Sequence, residues 1–86
     1  METFIVLSID KRNTVRGLLL DKGPHPYVTN NLLDAVGIFT LEENHIRSKY
    51  TLSNSYNGNS ISCAIIKVTE KKDVSIIKCS DIYDFE

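Results

Sequence analysis

Short apolar runs separated by clusters of polar residues are the main feature of this chain. Near the N-terminus, apolar and β-branched residues at 3–9 and 15–20 flank the polar cluster 10–13. Runs of this length between turn residues are typical of β-strands, and Asn13 suits the left-handed position of a three-residue loop. The expected register pairs Ile9 with Val15, Leu7 with Gly17 and Ile5 with Leu19. The pattern therefore predicts an N-terminal hairpin in which both faces are largely apolar.

A loop and a short helix are predicted to follow this hairpin. Residues 21–26 contain two prolines, which remove backbone donors and push the preceding residues out of the helical region. Thr29 or Asn30 is expected to cap a helix of about two turns, with Gly37 just past its end.

The pattern leaves two alternatives open for residues 38–49. Residues 40–43 match a capping box, which favours a second helix, whereas residues 38–41 also suit a strand. We favour a strand over residues 38–41 and a further strand from residue 46.

Two more hairpins are predicted in the C-terminal half. Asn57-Gly58, a strong hairpin signal, lies between the stretches 46–53 and 61–68, and residues 69–73 link the latter to 74–79. The first hairpin is expected to pair Leu52 with Cys63, Tyr50 with Ile65, Lys49 with Ile66 and Arg47 with Val68. The second is expected to pair Val68 with Val74, Ile66 with Ile76, Ile65 with Ile77 and Cys63 with Cys79. Together they form a three-stranded meander.

Side-chain alternation divides this meander into two faces. The face that we expect to form the core carries Tyr50, Leu52, Cys63, Ile65, Ile77 and Cys79. The opposite face is also aliphatic and carries Ile66, Val68, Val74 and Ile76, edged by Arg47, Lys49 and Lys78. A helix of two turns cannot cover a sheet face of this width. Either the hairpins close into a barrel or sandwich, or a partner covers one aliphatic face.

The elements together predict an α+β fold. We expect one domain over residues 1–86, because 86 residues suffice for one hydrophobic core. It is predicted to contain a small, mostly antiparallel sheet of five to six strands. An N-terminal hairpin, one short helix and the C-terminal three-stranded meander supply these elements.

Composition narrows the classes of function. Although 42% of the residues are hydrophobic, no run approaches the ~18 apolar residues of a membrane span, and the start lacks the positive region of a secretory leader. The sequence therefore predicts a cytoplasmic protein. Ten basic and eleven acidic residues give a net charge of -1, which argues against a partner attracted mainly by charge.

Candidate catalytic and metal-binding residues form no motif. Cys63 and Cys79, like His25 and His45, are too widely spaced for a local zinc site. The expected register would allow a disulfide between the cysteines, but in a reducing cytosol we expect two buried thiols. No nucleophile elbow or phosphate-binding glycine loop is present in the sequence. We therefore expect no catalytic residue, no metal and no cofactor, and a protein that is not an enzyme.

Binding is the remaining class of function. The uncharged loop 53–60 has the composition of adaptable binding loops, and the tail 80–86 alternates acidic and apolar residues. The candidate partner-binding residues are Arg47, Lys49, Tyr56, Ile66, Val68, Val74, Ile76, Lys78, Tyr83 and Phe85. The alternative is a single-stranded nucleic-acid-binding module in which Lys and Arg contact phosphates and Tyr stacks on bases.

A compositional bias suggests the genetic origin of the chain. Ten Ile, seven Lys and seven Asn are encoded by A- and T-rich codons and indicate an AT-rich genome. A very small, charge-neutral chain without motifs is similar in profile to phage- and mobile-element-encoded inhibitors, including anti-defence proteins. The sequence thus favours a small non-enzymatic protein-protein interaction module of this type. It would act by occupying a surface of a host macromolecule or by homodimerising.

Overall fold

The structure, a computed structural model, describes residues 2–10, 15–18, 25–52 and 61–85. For Asp10, Val15, Arg16, Asp84 and Phe85 it describes the backbone only. The predicted turns at Asn13 and Asn57-Gly58, and the candidate residue Tyr56, lie outside the described residues.

One helix and seven short strands make up the described part of the chain. In chain order they are β1 (Thr3–Asp10), β2 (Val15–Arg16), β3 (Tyr27–Thr29), α1 (Leu32–Lys49), β4 (Tyr50–Leu52), β5 (Ile61–Val68), β6 (Val74–Cys79) and β7 (Tyr83–Phe85). All strand pairs described are antiparallel. The predicted α+β class with a mostly antiparallel sheet is confirmed.

The two longest strands, β1 and β5, form the centre of the sheet and pair along their whole length. The outer edge of β1 pairs with β3 at one end and with β2 at the other. The outer edge of β5 pairs in the same way with β6 and then β7, and β4 extends the sheet beyond β7. Because β2 and β3 share one edge of β1, and β6 and β7 share one edge of β5, the sheet is four strands wide at one end and five at the other. This is slightly narrower than the five to six strands predicted.

The helix differs most from the prediction, because α1 continues for 18 residues instead of ending at Gly37. Its cap is Asn31, whose Oδ1 accepts hydrogen bonds from the backbone N–H groups of Leu33 (2.9 Å) and Asp34 (3.3 Å). The predicted caps Thr29 and Asn30 and the predicted strands over residues 38–41 and from residue 46 are therefore wrong. A glycine inside a helix costs only ~1 kcal/mol relative to alanine, which tertiary packing of the rest of the helix readily offsets.

Burial against the sheet explains why the helix continues past this glycine. Ala35, Phe39, Glu42 and Ile46 recur at helical spacing and are all buried. The stripe is hard to recognise in the sequence because one of its four positions is a glutamate, while Leu33 and Leu41 lie exposed on other sides of the helix.

The C-terminal meander differs from the prediction in strand order. Because α1 extends through Lys49, only three residues are left for β4, and β4 pairs with β7 instead of β5. The strand β7 lies between them, with Tyr83 opposite Ile61. The expected pairs of Leu52 with Cys63, Tyr50 with Ile65, Lys49 with Ile66 and Arg47 with Val68 are therefore all wrong.

The hairpin of β5 and β6 is confirmed in its first half. Val68 pairs with Val74 and Ile66 with Ile76, as expected. A β-bulge between Ile65 and Ile66 then shifts the register by one residue. Beyond the bulge, the expected pairs of Ile65 with Ile77 and Cys63 with Cys79 are replaced by Ile65 with Lys78 and Ala64 with Cys79.

The N-terminal hairpin is likewise confirmed only near its turn. Ile9 pairs with Val15, but β2 ends at Arg16. Farther along β1, Ile5 pairs with Val28 of β3 and not with Leu19. At residues 4–6 of β1, a separate short strand thus takes the place of the second predicted strand.

The core lies between α1 and one face of the sheet. Strand alternation directs Phe4, Val6 and Ser8 of β1 and Cys63 and Ile65 of β5 toward the helix. The core consists of Phe4, Val6, Leu18, Ala35, Phe39, Ile46, Ile61, Cys63, Ile65 and Tyr83. Among the described residues, α1 therefore covers one face of the sheet, and no helix lies on the other face.

Candidate functional site

The sheet face opposite α1, the helix-free face, carries a row of aliphatic residues across four strands. The backbone pairing sets Val28 beside Ile5, Ile5 beside Ile66, and Ile66 beside Ile76. Parallel rows place Thr3, Val68 and Val74 on one side and Leu7, Ala64 and Cys79 on the other. Within these three rows no position is charged. The predicted strip of Ile66, Val68, Val74 and Ile76 is thus one connected part of this face.

On the helix-free face, the most exposed side chains lie on the two outer strands, β3 and β6. Val28 is 58% exposed at the β3 end, and Val74 and Ile76 are each 65% exposed at the β6 end. Ile5, Ile66 and Val68 in between are partly buried, and Leu7 and Ala64 are buried. The aliphatic surface most accessible to another molecule therefore lies on β6.

Strand β6 is exposed on both sides. All six of its residues are exposed, and no Cα atom of α1 lies within 8 Å of a Cα atom of β6. In the part of the chain that the structure describes, β6 pairs only with β5, so its outer edge has no neighbouring strand. Such an edge presents unpaired N–H and C=O groups to which another strand can bind.

The predicted basic rim is not next to this face. Arg47 and Lys49 lie in the last turn of α1. The Arg47 Nε donates a hydrogen bond to the Tyr83 hydroxyl (3.3 Å), and its Nη2 lies 3.5 Å from Glu43 Oε1. The hydrogen bond to Tyr83 and the charge of Glu43 raise the pKa of Arg47 above its usual value. The expectation that these residues edge the aliphatic strip is wrong because the helix replaces the strand predicted there.

Lys78 is also on the helix side of the sheet. The bulge places it opposite Ile65, and its Nζ lies 5.4 Å from the centroid of the Phe39 ring, within cation–π range. Its predicted position at the rim of the aliphatic strip is therefore wrong.

The C-terminal candidates belong to the sheet itself. Tyr83 is only 4% exposed and is part of the core. The backbone of Phe85 pairs with Tyr50, so residues 83–85 form an internal strand. Burial leaves Tyr83 little surface for a partner, and the side chain of Phe85 lies outside the described residues.

The cysteines lie on opposite faces of the sheet. Cys63 points into the core and is buried, whereas Cys79 stands beside Ala64 on the helix-free face and is exposed. Burial raises the pKa of the Cys63 thiol to about 12, and the nearby carboxyl groups of Glu42 and Glu43 add to this, while a hydrogen bond with Ser80 acts in the opposite direction. The expected burial of both thiols is wrong for Cys79, because the bulge changes the face on which it lies.

Two polar contacts, one buried and one partly buried, have no counterpart among the features predicted from the sequence. Ser8 Oγ donates a hydrogen bond of 2.9 Å to Glu42 Oε2 inside the core. The Tyr27 hydroxyl donates one of 2.6 Å to Asp34 Oδ2, which raises the pKa of Tyr27. For the hydrogen bond between Ser8 and Glu42, the one sign in the sequence is that each residue occupies a position in an otherwise apolar stripe. Among the described residues, no group of three or more His, Cys, Asp or Glu side chains is arranged so that it could hold a metal ion.

The chain was also compared with known proteins. Comparison with protein-family models, with curated proteins and with solved structures finds no match. In the ranges that the structure describes, no helix combines the length and the apolar character needed to span a membrane. The candidate site therefore depends on the geometry of the helix-free face and of the edge strand β6.

Proposed function

We propose that this chain is a non-enzymatic protein-binding module that takes an extended segment of another protein as an added strand on β6. The observation that carries the proposal is the exposure of β6, whose outer edge continues the aliphatic row formed by Val28, Ile5, Ile66 and Ile76. Main-chain hydrogen bonds to the edge would supply affinity. Aliphatic side chains at alternate positions of the partner would supply specificity.

The size of the helix-free face supports strand addition over the docking of two flat surfaces. Strands lie ~4.8 Å apart and residues advance ~3.3 Å, so the three rows, four strands wide and spanning residues 3–7 of β1, cover on the order of 300 Å². A stable protein interface needs roughly 800 Å² per partner. Contact with this face alone is therefore too small, and pairing with the β6 edge would enlarge it.

The helix-free face determines which side chains we expect in the partner segment. The three rows of the helix-free face carry no charge, so side chains that extend these rows should be aliphatic or β-branched. A module that occupies such a segment of a host protein would act as an inhibitor, which is the role that the composition suggests.

Selection from a library of displayed random peptides, with the full chain as bait, tests the proposal. We expect enriched peptides to alternate aliphatic and polar residues, and their binding to protect β6 amides from hydrogen exchange. Ile76→Asp should weaken these peptides at least about tenfold, because burying an isoleucine side chain contributes ~1.5–3 kcal/mol. Ser75→Asp, at the next exposed position of the same strand, is the matched control and should change affinity much less.

Two outcomes would overturn the proposal. The first is an absence of alternating peptides, or equal weakening by both substitutions. The second is a dimer in light scattering that Ile76→Asp dissociates, which would make a second copy of the chain the occupant of the edge.

A further inference from the structure

A second candidate site lies on the opposite side of the sheet, between the first turns of α1 and the strands beneath it. It is an open cavity of about 360 Å³. Phe4 and Ile65, both buried, form its floor, and Val36 and Leu32 contribute the wall on the side of the helix. This volume is within the range of about 300–1,000 Å³ in which proteins bind small molecules.

The β-bulge adds two residues to the lining of the cavity. On a regular strand Ile77 and Lys78 would point to opposite faces of the sheet. Here both residues line the cavity, because the register shift between Ile65 and Ile66 alters the alternation along β6. The bulge thus adds an aliphatic group and a cation at one position.

The charged residues lie at the opening of this apolar cavity. Lys67 and Lys78 contribute two ammonium groups and Glu2 one carboxylate, so the opening carries a net positive charge. Among the described residues, neither lysine forms an ion pair, and the recorded partner of Lys78 is the Phe39 ring. Two cations above an apolar floor match a ligand with one anionic end and an apolar body.

We propose that this cavity binds a small amphipathic carboxylate of the fatty-acid type. The alkyl chain lies against Phe4, Ile65 and Val36, and the carboxylate lies between the ammonium groups of Lys67 and Lys78. The site is on the face of the sheet opposite the row ending at Ile76, so it goes beyond the proposed protein-binding function and does not depend on it.

Decanoate, used below its micelle concentration, is the probe. Its binding to the full chain can be followed by calorimetry and by amide chemical shifts, alongside the neutral analogue 1-decanol and the cation decyltrimethylammonium. We expect decanoate to bind best, decanol to bind more weakly and the cation not to bind. Shifts should concentrate at Val36, Lys67 and Ile77.

Matched substitutions identify the site. Lys67→Met and Lys78→Met should each weaken decanoate about fivefold, as expected for a partly exposed ion pair, and leave decanol unchanged. Lys71→Met, an exposed lysine outside the cavity, is the control and should have no effect. Val36→Trp should fill the cavity and abolish binding of both ligands, with circular dichroism confirming the fold.

The proposal is overturned if decanol binds as well as decanoate, if the three lysine variants behave alike, or if Val36→Trp still binds. An absence of decanoate binding to the wild-type chain also overturns it. Peptide binding to β6 is measured separately with Ile76→Asp, so failure of one proposal is distinguishable from failure of the other.

Discussion

Removal of the Ser8 hydroxyl is the sharpest test of how the core is held together. Ser8 and Glu42 are both 0% exposed, and the serine donates to the carboxyl oxygen at 2.9 Å. Ser8→Ala deletes this donor and leaves the buried oxygen with one hydrogen bond fewer, which costs about 1–3 kcal/mol. In a domain of this size each kcal/mol lowers the melting temperature by roughly 4–8 °C.

Urea and thermal unfolding followed by circular dichroism measure this cost. Ser75→Ala removes an exposed hydroxyl from β6 and should change the free energy of unfolding by less than about 0.5 kcal/mol. The pair can be examined further with Glu42→Met and the double variant. Because the double variant removes the donor together with its acceptor, it should lose less stability than the two single variants combined.

Two results would contradict this prediction: equal effects of Ser8→Ala and Ser75→Ala on the free energy of unfolding, or additive effects of the two core substitutions. Either result would mean that the hydrogen bond between Ser8 and Glu42 does not couple β1 to α1.

Four further predictions concern individual residues. A thiol reagent should label Cys79 rapidly and Cys63 only on unfolding; equal rates would contradict the opposite-face placement. Because the pKa of Cys63 is raised from 9.0 to about 12, only the unfolded chain loses this proton just above pH 9. The contribution of Cys63 to the free energy of unfolding is therefore complete below pH 9 and lost between pH 9 and 12, and Cys63→Ala should flatten this part of the pH profile. Gly37→Ala should stabilise the protein by up to ~1 kcal/mol in urea unfolding, since a Cβ there meets nothing within 4 Å. Asn31→Ala should destabilise it by ~0.5–2 kcal/mol through loss of the helix cap, and Asn44→Ala, at an exposed position inside α1, is its control.

Local patterns were sufficient where neighbouring parts of the chain pair with each other. The apolar runs predicted β1 and β5 almost to the residue, and the polar link 69–73 predicted the hairpin that joins β5 to β6. Alternation along that hairpin also predicted the aliphatic strip of Ile66, Val68, Val74 and Ile76. These features follow from residues close in sequence, whose pairing is set by turn length and by which side chains must share a face.

The helix and the strand order depended on tertiary packing. Gly37 indicated the end of a helix and Glu42 interrupts the apolar stripe of α1, and only the packing of α1 on the sheet shows that the helix continues past both. The place of β7 between β5 and β4 depends on chain segments distant in sequence, and no local signal specifies it.

By itself, the sequence determined the fold class, the pairing of Ile9 with Val15 and of β5 with the first half of β6, and the presence of apolar residues on both faces of the sheet. The tertiary structure decided which face the helix covers and, through one bulge, that Lys78 lies over the core side and Cys79 on the other. A shift of one residue reverses the face of every following side chain. Because the periodic pattern of apolar residues continues on both sides of the bulge, the sequence does not reveal where the bulge lies.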